Sequence, residues 1–239
     1  MLLTIATTVL EADERLLRSI RSIKQTREQE HIISVAGDFR RARALLRTGG
    51  PGVRRLIEAP GASISEGFNE CIRHSEGDLI WVLNSGDEEM DVEPLLRLLE
   101  QLPEIDFAVG AISYGGEVVR PKRNPGNRLS CLLHGMGFCH GAAVVRRAFH
   151  NRYGLYDPTY RICMDQDLFI RALWNGARVV TSSSCVARIE PAGNSGNPAT
   201  RIQDLQRIMA RYVPFPFPQL LAAKWRLANH VAEWLGGRH

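Results

Sequence analysis

The chain reads as an α/β protein with a mainly parallel sheet and helices on both faces, and three observations predict this. Strand-like and helix-like stretches alternate from residue 4 to residue 102. The segments between successive strand candidates are long enough for the crossover helices that parallel neighbours require. Hydrophobic residues make up 44% of the chain and charged residues 23%, at a mean hydropathy of -0.16, which supports a buried core and excludes a disordered or fibrous protein.

TIATTVL at 4–10 is a β-branched run, and after it Leu16, Leu17, Ile20 and Ile23 recur at helical spacing. HIISVAG at 31–37 is the second strand, FRRARALLRTGG a helix ending on glycines, and VRRLIEA at 53–59 a third strand. Ser63 and Glu66 have capping-box spacing, and Ile64, Phe68, Cys71 and Ile72 make one apolar stripe before Gly77. DLIWVLN follows as a strand and EPLLRLLEQL as a helix; IDFAVGAISYGGEVVR then alternates with period two around Gly115-Gly116, the pattern of a hairpin. The simple alternation breaks at PKRNPGNRLSCLLHGMG, a segment rich in turn formers and basic residues whose loops are suited to an acceptor site. GAAVVRR reads as a strand, MDQDLFIRALWNG as a helix and ARVVTSSSCVARI as a strand. One domain over 1–212 is expected, with an appended helical tail at 213–239.

Several function classes lose support. Thirty Lys plus Arg against 26 Asp plus Glu give +4, too small an excess to argue for nucleic acid. The five cysteines, Cys71, Cys131, Cys139, Cys163 and Cys185, contain no CxxC pair, so neither a disulfide framework nor a zinc ribbon is indicated and a reducing cytoplasm is expected. The N-terminus reads as a strand rather than a signal peptide, and no apolar run approaches the ~20 residues of a membrane span. GxSxG, P-loop, HExxH and GxGxxG motifs are absent.

Two acidic clusters carry candidate chemistry. LIWVLN empties into Ser85-Gly86-Asp87-Glu88-Glu89, and carboxylates at the carboxyl end of a strand suit Mg²⁺ or Mn²⁺ on a diphosphate, which needs only one or two of them; an ordinary polar loop before Pro94 is the alternative. Asp165 and Asp167 stand at a helix start, where they either cap the helix or, facing a cleft, serve as general base. His134 and His140 lack the spacing of a helical metal pair, leaving His140 as a structural or acceptor-contacting residue.

The order TIATTVLEADERLLRSIRSI, ISEGFNECIRHSEGDLIWVLNSGDEE, GFCHGAAVVRRAFHNRYGLYDPTYRICMDQDLFIRAL resembles the family 2 glycosyltransferases of GT-A fold, a Rossmann-like fold of nucleotide-diphospho-sugar transferases. It is most similar to the branch that builds bacterial capsule, exopolysaccharide or lipopolysaccharide. The resemblance implies an inverting, metal-dependent transferase taking a UDP or GDP sugar to a glycan or lipid-linked acceptor. It implies Asp87 as ligand of Mg²⁺ or Mn²⁺, Asp165 as catalytic base, and His140 and Asp167 on the acceptor side. It places Thr7, Asp38, Asn69, Ser85, Asp87, Gly193 and Ser195 at the donor, the last two in a GGxS-like loop within EPAGNSGNP.

This chain departs from the family pattern at two places. Ser85 and Gly86 stand where the DxD-type element carries acids, so metal binding rests on Asp87 with Glu88 beside it. Ala36-Gly37-Asp38 replaces a DGS-like motif, leaving Asp38 to contact the nucleotide base only if the turn is shifted. These losses motivate one rival, a nucleotide-sugar-binding or partner-binding relative without catalysis. A second rival, a nucleotidyltransferase, lacks the phosphate loop that should follow its first strand. In the tail, VPFPFP punctuates 213–218, then Leu220, Leu227, Val231 and Trp234 share one helical stripe with Leu221, Trp225, Ala228, Ala232 and Leu235 beside it. Such a face docks on its own domain, on a second copy as a homodimer, or on the inner face of the cytoplasmic membrane.

Overall fold

β-Branched runs and amphipathic helices alternate through the first 82 residues as the sequence predicts. The structure is a computed structural model; it describes residues 1–25, 27–49, 53–191 and 198–214, with positions 216, 218, 219 and 223. Strands β1 (Leu3–Val9), β2 (Gln29–Val35), β3 (Val53–Glu58) and β4 (Leu79–Val82) run parallel in the order β3-β2-β1-β4. They are linked by α1 (Glu14–Ser22), α2 (Phe39–Gly49) and α3 (Ile64–Arg73). Asp13 caps α1 by accepting from the Arg15 amide, and Ser63 with Glu66 forms the expected capping box on α3. Leu16 and Ile20 of α1 and Leu46 of α2 bury against Val9, Ile33 and Val35, while Phe68, Cys71 and Ile72 of α3 pack on the other face around Ala6 and Ile32.

The second half changes direction. After β5 (Glu88–Glu89) and α4 (Glu93–Gln101) come β6 (Phe107–Tyr114) and β7 (Glu117–Val119), joined by Gly115 and Gly116 at φ 58° and 88°, values that suit glycine. β8 (Ala143–Arg146) lies antiparallel between β4 and β6, and β9 (Val179–Ile189) then runs parallel to β6 with β5 antiparallel at the edge. The sheet is thus mixed but mostly parallel, in the order β3-β2-β1-β4-β8-β6-β9-β5. Because β8 is reversed, it starts beside the carboxyl end of β4, and its first residue, Ala143, stands opposite Val109 in β6. The carboxyl ends of β1, β4, β6 and β9 gather on one rim.

Two stretches differ from expectation. The turn-rich segment before residue 137 contains α5 (Arg128–His134), nucleated where Asn127 Oδ1 accepts from the Ser130 amide. The strand read at 141–147 begins only at Ala143, because His140–Ala142 forms a 3-10 turn, and Arg147 already starts α6 (Arg147–Tyr153). α7 (Met164–Trp174) and α8 (Pro198–Ala210) complete the fold. Phe107, Phe138, Phe149 and Phe169 form one aromatic cluster with ring centroids 5.0 to 5.8 Å apart, tying β6, α6 and α7 together. Tyr212 stacks on Trp174 at 4.6 Å, holding the residues after α8 to α7. Most of the tail, including its apolar stripes, lies outside the described residues. Among the described residues, no helix is long and apolar enough to cross a membrane.

Candidate active site

The strand ends enclose a cavity of about 610 Å³. It is lined by Thr8 of β1, Leu10 and Glu11 after that strand, Asn84, Ser85 and Asp87 after β4, residues 138–141, the start of α7 and residues 189–191.

Asp87 is fixed by local geometry. Gly86 adopts φ 106°, closing a turn in which the Asp87 amide donates to Asn84 O at 3.0 Å. Pairing of Glu88 with Arg188 brings residue 190 alongside, so the Glu190 amide donates to Asp87 Oδ1 at 2.9 Å while Asn84 Nδ2 donates to Oδ2 at 2.9 Å. Only 3% of Asp87 is exposed, and burial raises its carboxyl above the usual range, with a smaller push from the like charge of Glu190; the bonds from Glu190 and Asn84 oppose it. Glu190 is ion-paired with Arg18 at 3.1 Å.

Asp165 lies in the first turn of α7 and lines the cavity. Its Oδ1 accepts from the Gln166 amide at 2.8 Å, the one hydrogen bond it makes among the described residues. Cys139 sits within the field of both Asp87 and Asp165; burial first, then these charges, push its thiol up to about 11, so it is not a thiolate nucleophile. His140 lines the cavity, and its Nε2 is 2.6 Å from the Tyr156 hydroxyl. Burial pushes the imidazole down, opposed by Asp165.

Of the residues expected at the site, the structure brings Ser85, Asp87, His140 and Asp165 together. Asp167 is not with them. Two helical positions from Asp165 is about 200° around the axis, so Asp167 turns inward, fully buried, to Arg171 at 3.0 Å and Arg211 at 2.8 Å. Thr7 is also away from the cavity: its hydroxyl donates to Leu83 O at 2.7 Å and lies 2.9 Å from His31 Nε2. Strand alternation gives the cavity position to Thr8, whose buried hydroxyl has no partner among the described residues. Asn69 is buried in α3 and spends its amide on the Tyr156 backbone. Asp38 is exposed and caps α2 through the Arg41 amide at 2.9 Å. Gly193 and Ser195 lie outside the described residues. Sequence reasoning missed Thr8, Tyr156, Glu190 and the cavity arginines Arg15 and Arg161; strand alternation puts Thr7 and Thr8 on opposite faces without saying which face meets the cavity.

Among the described residues no three His, Cys, Asp or Glu side chains form a metal cage. Asp87 nevertheless fits a divalent cation held by a single protein carboxylate. Each of its oxygens accepts one hydrogen bond from the residues named above, leaving a lone pair on each, and phosphate and water oxygens complete such a shell.

No family model matches the chain. It is 23% identical over 227 residues to an uncharacterized glycosyltransferase of Mycobacterium tuberculosis, covering 90% of this chain and 84% of that one. It is 42% identical over 66 residues to the succinoglycan biosynthesis protein ExoU of Rhizobium meliloti, 27% of this chain and 19% of ExoU. Among solved structures, S. aureus TarS superposes with a TM-score of 0.65 at 10% identity, over 94% of this chain and 43% of TarS. The 1-349 fragment of TarS in complex with UDP-GlcNAc gives 0.68 at 12% identity, over 94% of this chain and 71% of the fragment. The chain has the TarS glycosyltransferase fold, in agreement with the family 2, GT-A resemblance read from its sequence.

Proposed function

We propose that this chain is an inverting glycosyltransferase that moves a sugar from a nucleoside-diphosphate donor to a hydroxyl of a glycan or lipid-linked acceptor in cell-surface polysaccharide synthesis. The observation that carries the reading is that Asp87 and Asp165 both line one cavity at the strand ends. TarS structures hold UDP and UDP-GlcNAc, and ExoU is named for succinoglycan biosynthesis; both support a nucleotide sugar and a polysaccharide product.

In this reading Asp165 takes the proton of the acceptor hydroxyl through the oxygen that the Gln166 amide leaves free. The hydroxyl oxygen attacks the anomeric carbon in line, the nucleoside diphosphate leaves, and configuration inverts. Asp87 would hold Mg²⁺ or Mn²⁺, which supplies positive charge to the leaving diphosphate. Arg15 and Arg161 add cationic side chains to the same cavity. The departures at Ser85 and Ala36 favour one second reading, a nucleotide-sugar-binding relative without catalysis.

The test is nucleoside diphosphate release by purified protein from a panel of UDP and GDP sugars, with p-nitrophenyl glycosides as hydroxyl acceptors and Mg²⁺ or Mn²⁺ present. Asp165→Asn should lower transfer by at least about a hundredfold with donor affinity kept within about twofold. Asp87→Asn, or EDTA on the parent protein, should abolish most transfer. Near-normal turnover in Asp165→Asn overturns the base assignment, and full activity in EDTA overturns the metal role. Binding of donors without turnover of any of them favours the second reading.

A further inference from the structure

Three side chains from distant parts of the sequence, buried Asn69 and Tyr156 and partly buried His140, form one connected unit against the cavity. Asn69 Nδ2 donates to Tyr156 O at 2.8 Å, and the Tyr156 amide donates to Asn69 Oδ1 at 3.0 Å. This pair of bonds fixes the backbone of Tyr156 to α3, although Tyr156 itself lies in the irregular segment between α6 and α7. The Tyr156 hydroxyl then reaches His140 Nε2 at 2.6 Å, and Phe68 and Phe169 flank the imidazole at 6.1 and 6.0 Å. Tyr156 is 4% exposed.

The direction of the hydroxyl bond follows from what burial demands. A buried phenol O–H that fails to donate leaves its proton unpaired at a cost of about 1–3 kcal/mol, so donation is favoured where an acceptor stands within reach. The single acceptor recorded for it among the described residues is His140 Nε2. If Nε2 carried a proton it would donate to the phenol oxygen, and the phenol proton would be left without an acceptor among the described residues. This cost assigns Nε2 as the acceptor, an assignment that puts the ring proton on Nδ1. Nδ1 makes no hydrogen bond among the described residues, and His140 lines the cavity with Asp165.

We propose that Tyr156 is a positioning residue that fixes His140 as the Nδ1–H tautomer, so that one ring N–H meets the oxygen of the acceptor hydroxyl. The inference rests on the glycosyltransferase reading and deepens it. An acceptor hydroxyl has one proton and two lone pairs. The proton passes to Asp165, one lone pair forms the bond to the anomeric carbon as the bond to the diphosphate breaks and its electron pair leaves with the diphosphate, and the second lone pair accepts from Nδ1–H. The N–H thus sets the rotation of the hydroxyl about its C–O bond and aims the attacking pair. Asn69 of α3 anchors this arrangement by holding the Tyr156 backbone.

The test has a readout independent of turnover. Long-range ¹H–¹⁵N NMR correlations on the full chain labelled at histidine, with His140 assigned by its disappearance in His140→Asn, should show the Nδ1–H form. Tyr156→Phe should give a mixture of tautomers. In kinetics with p-nitrophenyl glycosides, Tyr156→Phe should raise acceptor KM or lower kcat by about tenfold while UDP affinity stays unchanged. His140→Asn, whose amide N–H stands near the place of Nδ1, should retain more transfer than His140→Gln, whose amide stands near Nε2. An Nε2–H tautomer in the parent protein, or greater transfer in His140→Gln than in His140→Asn, overturns the proposal. If Tyr156→Phe fails to fold, the parent tautomer and the His140 pair still decide. If no acceptor is ever glycosylated, the proposed function fails while the tautomer measurement stands on its own, and an Nδ1–H result then supports the hydrogen-bond assignment alone.

Discussion

Asp165 and Asp167 are two residues apart, and only the structure separates their environments. Asp167 has no exposed surface; it pairs with Arg171 within α7 and, through Arg211, ties α7 to the residues that follow α8, while Arg211 also reaches Asp157 at 3.3 Å. Burial raises its carboxyl and the arginines lower it, with burial the larger effect. Asp167→Asn should cost about 3 kcal/mol in denaturant unfolding, short of the largest values for buried pairs because Arg211 is partly open to solvent. Asp165→Asn should leave stability nearly unchanged. Equal stability losses in the two variants would overturn this division. His31 and His150 are a second residue-scale feature: burial holds both at about 4 against an ordinary 6.5. Between these values the unfolded chain binds protons that the folded chain refuses, so stability falls as pH drops from about 6.5 to 4, by about 3 kcal/mol for each histidine. The buried carboxyls of Asp87, Glu89 and Asp167, raised by burial, act in the opposite sense. Thermal melts of parent and His31→Gln at pH 7 and 4.5 isolate the effect: the variant should show a smaller loss. The same loss in both proteins would assign the pH dependence elsewhere.

At the scale of elements, local signals worked where a cap or a period was complete. α3 is the clearest case: Ser63 Oγ accepts from the Glu66 amide at 3.3 Å, Glu66 Oε2 accepts from the Ser63 amide at 2.8 Å, and the predicted stripe of Phe68, Cys71 and Ile72 is buried. Ser63→Ala should cost about 1 kcal/mol. An unchanged denaturation midpoint would show that tertiary packing alone holds the helix end. Gly67 has a reason visible only in three dimensions, since a Cβ there would stand 2.6 Å from the Thr8 side chain where α3 crosses β1. α5 escaped the sequence reading because its seven residues are too short for a periodic stripe and lie among turn formers. α6 was hidden for the opposite reason: it begins at Arg147 without a break after β8, and Arg146 at its start provides no side-chain cap.

At the scale of the whole molecule, the reversal of β8 makes the site. Had β8 run parallel to β4, its preceding turn would lie at the far edge of the sheet; antiparallel pairing of Trp81 with Val144 brings His140 and Gly141 to the rim that holds Asp87. Trp81 Nε1 donates to Gly141 O at 2.9 Å and fastens that turn. The tail is a separable question. The sequence pattern supports docking by residues 219–239, and their deletion should abolish dimer formation or liposome binding while transfer persists. Unchanged association with lost chemistry in a folded truncation would refute docking. The sequence by itself determined the alternation of strands and helices, the cap of α3, the placement of Asp87 after a strand and Asp165 at a helix start. Those depend on neighbours within a few residues, where periodicity and capping chemistry are written directly. The tertiary structure alone decided that Thr8 rather than Thr7 lines the cavity, that Asp167 binds arginines, that Asn69 holds Tyr156 and that His140 meets its hydroxyl. Each of these joins groups distant in sequence, or selects one face of an element, and strand direction and packing across the sheet settle such choices after the local elements have formed.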